Sequence, residues 1–139
     1  MAGSRFLFLS HFVQDESGER TSAGMTWMLV SPNNRPLGCA SQFFPSYESC
    51  RESVQFLRDQ HGRLTGMATA VEEKGRWAWR VDVDGQTVAV SSRTYLRQQE
   101  CDYNLRRFLE AVPVARLVTL VRNVRSRRLP ASGDSAPVG

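Results

Sequence analysis

Gly75-Arg76-Trp77-Ala78-Trp79-Arg80-Val81-Asp82-Val83-Asp84-Gly85-Gln86-Thr87-Val88-Ala89-Val90-Ser91-Ser92 is the stretch whose reading decides the fold. Trp77, Trp79 and Val81 alternate with Ala78 and Arg80, the period-2 pattern of a strand that buries one face. That face is read as packing onto helices, with Arg80 on the opposite one. Asp84-Gly85 supplies the positive-φ backbone of a tight hairpin turn, and Thr87 to Ser91 is the return strand. The period then changes. From Arg97 to Ala111, Cys101, Leu105, Phe108, Leu109 and Val112 follow the spacing of one helical stripe. Pro113 limits that helix, because the residue before a proline avoids the α region. Arg116 to Val121 is a β-branched final strand.

The first half reads in the same order. An offset of 51 residues aligns the halves without a gap from Gly24 onward. It matches Gly24 with Gly75, Val30 with Val81, Ser41 with Ser92 and Cys50 with Cys101, and conservatively Phe44 with Tyr95, Val54 with Leu105 and Leu57 with Phe108. Met25 to Val30 and Leu37 to Ser41 are expected strands around the turn Ser31 to Pro36. Ser46 is the expected N-cap of a helix whose buried stripe is Tyr47, Cys50, Val54 and Leu57, with Gly62 as its stop. Leu64 to Val71 is a connecting strand, turned by Glu72 to Gly75 toward Trp77. Phe6 to Val13 is an opening strand, and Asp15 to Ala23 an enlarged, mobile loop. Residues 126–139 lack an apolar pattern and are expected to be disordered.

Both halves resemble the repeat of the YegP-like family of small, uncharacterised bacterial and archaeal proteins. The second half carries the resemblance in Gly75, Trp77, Trp79, Arg80, Val81, Gly85, Ser92, Tyr95, Cys101, Leu105 and Phe108. The first keeps Gly24, Val30, Ser41, Cys50, Val54 and Leu57, with Phe44 in place of tyrosine and Thr26-Trp27-Met28-Leu29-Val30 in place of the aromatic-x-aromatic-Arg strand. The match runs from Phe6 to Val121. It implies an α+β fold of two tandem β3-α-β-type repeats joined into one antiparallel sheet. Terminal strands would be exchanged between the repeats, at about residues 5–71 and 64–125 of one domain spanning 1–125. It implies no reaction, because the family has no established catalytic residues.

Size and composition agree with a single folded unit. A chain of 139 residues with 41% apolar and 23% charged residues has globular composition. It should bury roughly 68% of its unfolded surface without metals or disulfides. No stretch reaches the ~20 apolar residues of a membrane helix, and Phe6 to Val13 makes a poor secretory signal. The net charge of +4 is uneven: Arg122, Arg125, Arg127 and Arg128 stand near the end against Asp134 alone. Cys39, Cys50 and Cys101 form an odd set without C-x-x-C spacing. They read as reduced, small apolar residues of a cytoplasmic protein.

Few residues suggest chemistry. His61, beside Gly62 at a helix end, suits the terminal carbonyls rather than catalysis. Two isolated histidines and scattered cysteines do not make a zinc site. A Cys–His pair of Cys39 or Cys50 with His11 is outweighed by the packing role implied for Cys50 and Cys101. The carboxylates of Glu72, Glu73, Asp82 and Asp84 read as solvated turn residues. No glycine-rich phosphate loop is present, and Trp77 and Trp79 read as core rather than as a base-stacking platform. A sheet with both helices on one side leaves its other face free for a partner.

The sequence therefore points to a small non-enzymatic cytoplasmic protein, without cofactor or metal, acting as an interaction or scaffold module for a protein partner. One chain supplies both halves, so a monomer, an internal pseudo-dimer, is expected. The alternative is weak nucleic-acid or other polyanion binding through Arg122, Arg125, Arg127 and Arg128.

Overall fold

The computed structural model describes residues 3–71 and 75–126. The strands are β1 (Arg5–Gln14), β2 (Arg20–Val30), β3 (Pro36–Ala40), β4 (Thr65–Val71), β5 (Arg76–Val83), β6 (Gln86–Val90) and β7 (Arg116–Arg125). Helix α1 (Tyr47–Asp59) and a short 3-10 turn (His61–Arg63) lie between β3 and β4, and α2 (Gln98–Ala111) lies between β6 and β7. The strands form one sheet in the order β4-β5-β6-β3-β2-β1-β7.

Local chemistry accounts for most boundaries. Asp84 and Gly85 both take positive φ, at 50° and 80°, the primed geometry whose twist suits a two-residue hairpin between β5 and β6. At the start of α1, the Ser46 hydroxyl accepts from the Ser49 amide at 3.1 Å, while the Ser49 hydroxyl accepts from the Ser46 amide at 3.2 Å. This reciprocal cap satisfies two amides of the first turn. Helix α2 has no such cap at Arg97.

The α1 stripe Cys50, Val54 and Leu57 and the α2 stripe Cys101, Leu105, Phe108 and Ala111 enter one core. Phe6 and Phe8 of β1, Trp27 and Leu29 of β2, and Trp79 and Val81 of β5 close it from below. Both helices therefore cover the same face of the sheet, and the fold is α+β as expected. Phe108 joins the halves, stacking on Trp27 at 6.3 Å between ring centroids and tilting against Trp79 at 4.8 Å. That approach requires Gly38 on β3. A Cβ there would stand 2.5 Å from the Trp79 ring and 2.7 Å from that of Phe108.

The structure corrects several expectations. The sheet is mixed rather than antiparallel, because β7 runs parallel to β1, pairing Arg5 with Arg116 and Phe12 with Arg125. Strand β7 also continues past Val121 to Arg125, since β1 offers it a partner as far as Phe12. Ser126, assigned by sequence to the tail, donates its amide to the Phe12 carbonyl at 2.7 Å. The expected loop of residues 15–23 shrinks, because β2 starts at Arg20 and pairs with β1 as far as Gln14. What remains is folded around Asp15, whose carboxylate accepts from the Ser17 amide and hydroxyl and from the Glu19 amide. The expected turn residues Glu72, Glu73 and Lys74, and the tail 127–139, lie outside the described residues.

The bridges that tie the post-sheet loops to the sheet are Met25 with Phe44 and Trp77 with Tyr95. Trp27 follows the first of these bridges by two residues and Trp79 follows the second by two, and both are buried.

Candidate functional site

Because Phe6, Phe8, Trp27, Leu29, Trp79 and Val81 point toward the helices, their neighbours in sequence point to the other face. The pairing register lines those neighbours up. Leu7 lies opposite Met28, Met28 opposite Cys39, Cys39 opposite Val90, Val90 opposite Arg80, and Arg80 opposite Met67. One row of side chains therefore crosses six strands on the helix-free face. It is apolar over β1, β2, β3 and β6, and charged at β5. There Arg80 Nε donates to the Asp82 carboxylate at 3.2 Å.

At the β1 end the row opens into a groove of about 220 Å³ lined by Leu9, His11, Thr26, Met28, Cys39 and Phe43 among others. Phe43 leans edge-on against the His11 ring, with centroids 5.0 Å apart. His11 Nδ1 is hydrogen-bonded to Ser126 Oγ at 2.9 Å, which ties the groove wall to the end of β7. Burial holds the His11 imidazole below its ordinary range, so it stays neutral. A larger groove of about 780 Å³ lies on the helix side, between α1 and β6, lined by Gln42, Phe44, Ser49, Glu52, Phe56 and Thr87 among others.

The sequence-predicted arginines divide. Arg122 sits on β7 beside Leu9, and Arg125 beside Phe12; both are exposed. Among the described residues the ion pairs are Arg63–Asp84 and Arg80–Asp82, so neither Arg122 nor Arg125 is neutralised. Arg127 and Arg128 lie outside the described residues. Arg122 and Arg125 thus stand on the edge strand β7, inside the domain boundary expected at residue 125.

Most of the motif residues lie in or against the core. Cys50, Val54, Val81, Cys101 and Phe108 are fully buried, and Val30, Ser41, Trp79, Tyr95 and Leu105 nearly so. Trp77 and Phe44 are partly buried against the core. Ser41 Oγ donates to the Thr87 carbonyl at 2.9 Å, while the Ser92 and Tyr95 hydroxyls are buried without a partner. Gly24 has a φ of 115° and packs under Phe43 and Phe44; Gly75 and Gly85 also take positive φ at turns.

Among the remaining candidates, Cys39 and His11 do share the helix-free groove. Burial pushes the thiols of Cys39 and Cys101 up to about 11 and that of Cys50 up to about 12, so all three are protonated at neutral pH. His61 Nε2 donates to the Leu109 carbonyl at 2.7 Å. It serves a helix end as expected, but that of α2 rather than its own. Among the described residues no three His, Cys, Asp or Glu side chains converge as a metal site would require. None of the helices there is long and apolar enough to cross a membrane.

Two solved structures share this fold. The solution structure of the protein of unknown function YegP from E. coli superposes with a TM-score of 0.54, covering 88% of this chain and 97% of that one at 11% identity. The fold is that of YegP. The UPF0339 protein SO3888 from Shewanella oneidensis superposes with a TM-score of 0.56, covering 90% of this chain and 93% of its own at 8% identity. At such identities the likeness to YegP is one of fold alone. No family model and no curated protein matches the sequence.

Proposed function

We propose that this chain is a non-enzymatic, cytoplasmic interaction module whose working surface is the helix-free face of the sheet. The observation that carries the reading is the row from Leu7 to Val90. It is an apolar strip across β1, β2 and β3 with no helix laid over it, closed at one end by Val90, which is 2% exposed, and ending at the other in the groove between Leu9, Met28 and Phe43. The protonated Cys39 thiol and the neutral His11 tied to Ser126 agree with a surface that binds rather than reacts. Capture from native lysate tests it: a partner retained by the wild type should be lost with Leu9→Glu and Met28→Glu and kept with the helix-side variant Gln55→Glu. Equal recovery with all three would overturn the reading.

The architecture behind this surface is inferred to be two β3-α-β-type repeats forming one intertwined domain. Palindromic strand order around β6 and β3 supports it, as do the equivalent bridges at Met25 and Trp77. Strand β7, which follows α2, crosses to β1 of the first half and runs parallel to it, whereas β4, which follows α1, pairs antiparallel with β5.

A second reading is favoured by Arg122 and Arg125, exposed and without ion pairs among the described residues. With Arg127 and Arg128 they form a cluster suited to nucleic acid or another polyanion. Binding through three or four arginines should weaken with a log–log salt slope of about −3 to −4. Arg122→Ala with Arg125→Ala should flatten that slope; an unchanged slope would remove the arginines of β7 from the site.

A further inference from the structure

We propose that β4 is a docking edge for a second copy of this chain, whose own β4 adds antiparallel to it across a two-fold axis at Ala68. Strand β4 ends the sheet, and among the described residues no strand lies beyond it. The N–H and C=O groups of every second residue from Thr65 to Val71 therefore point outward, a template for another strand.

The two edges of this sheet are built differently. Strand β7 carries Arg116, Arg122 and Arg125, and its register with β1 breaks between Phe6 and Phe8. Charges and irregularities of this kind keep an edge from pairing with its like. Strand β4 has neither. Its sequence Thr-Gly-Met-Ala-Thr-Ala-Val holds no charge and no proline, and it pairs with β5 over seven positions without a break.

The strand also suits itself as occupant. With the axis at Ala68, Met67 faces the partner's Thr69 and Thr65 faces the partner's Val71 on the helix-free side. On the helix side Gly66 meets the partner's Ala70, and Ala68 meets the partner's Ala68, so only small side chains are brought together. A second β7 would instead set arginine against arginine, so assembly stops at two. A ladder of seven residues is a small interface, and the pair should dissociate on dilution. The proposal departs from the monomer expected from sequence: one chain completes the core, but its bare β4 edge is left to pair with a second copy.

Sedimentation or light scattering of the full chain, from low-micromolar to near-millimolar concentration, tests the proposal. The wild-type mass should rise from monomer toward dimer and no further. Met67→Glu and Thr69→Lys, both exposed positions, should each hold the chain monomeric without lowering the melting temperature. The double variant sets the carboxylate introduced at position 67 against the ammonium introduced at position 69 of the other copy, and should restore association. A wild type that stays monomeric throughout, or a Met67→Glu variant that associates as the wild type does, would overturn the proposal. Failure of the double variant to recover would overturn the antiparallel register at Ala68.

Discussion

Trp27 and Trp79 make the same contact in two places: each indole is 1% exposed and donates its Nε1 hydrogen to a polar side chain on the helix above it. Trp27 reaches Ser53 on α1 at 3.1 Å, and Trp79 reaches Asn104 on α2 at 2.7 Å. A large ring is thereby buried with its one polar atom satisfied, and each helix is held at a fixed height and rotation over its strand. Replacing either tryptophan with alanine should cost about 3–5 kcal/mol, read from denaturant unfolding. Because Phe108 touches both rings, the two losses should couple. Strict additivity in the double variant would show that the halves are energetically separate.

Gly38→Ala should be among the most damaging single-methyl additions in the chain. The new Cβ meets the rings of Trp79 and Phe108, which are almost wholly buried and cannot swing away. Overpacking of this kind costs about 1–3 kcal/mol. Gly66→Ala presses only on the flexible end of Leu105 and should be milder. Equal melting temperatures for the two variants would contradict this difference.

The thiols should resist both alkylation and base. Cys50 and Cys101 are fully buried, so a bulky reagent should label them only as fast as the chain opens. Their folded pKa values, about 12 and about 11, lie above the ordinary 9.0. The folded state therefore holds their protons longer than the unfolded state. Their contribution to stability is complete below about pH 9 and is lost as pH rises through 11 and 12. Alanine at either position should preserve the fold, whereas arginine would bury an unpaired charge and unfold it.

His11 gives the opposite dependence. Its folded pKa is lowered by burial from 6.5, so well above that pH both states are neutral and its contribution is complete. As pH falls below 6.5 the unfolded chain takes up the proton first, and stability drops until the folded imidazole is protonated as well. The difference in unfolding free energy between wild type and His11→Gln should level off well above pH 6.5, where the unfolded imidazole too has lost its proton. It should fall, against the wild type, on the acid side.

The sequence is most legible where one face of an element is buried. Alternation at Trp77, Trp79 and Val81 identifies a strand face, and the spacing of Cys101, Leu105 and Phe108 identifies a helix stripe, because burial imposes those periods. Register between the halves is legible only to within one residue. A gapless offset matches Gly24 with Gly75, whereas Trp27 and Trp79, which make like contacts with α1 and α2, stand one residue off it. The longer Ser31–Arg35 turn hides the step, since turn length leaves no apolar period. The direction of β7 is not legible either, because β-branched residues state that a strand forms but not which neighbour it joins. The helix-free row is hidden for the same reason: Leu7, Met28, Cys39 and Val90 become one surface only through the register of four strands.

Parallel pairing of β1 with β7 also fixes how the molecule answers tension. The chain enters β1 at Arg5, beside Arg116, and leaves β7 at Arg125, beside Phe12, at the opposite end of the same ladder. A pull between those two points slides one strand lengthwise along the other. The load then falls on the hydrogen bonds of that ladder together rather than opening them one at a time. A seam at the margin of the sheet is, for forces along the chain, its mechanical clamp.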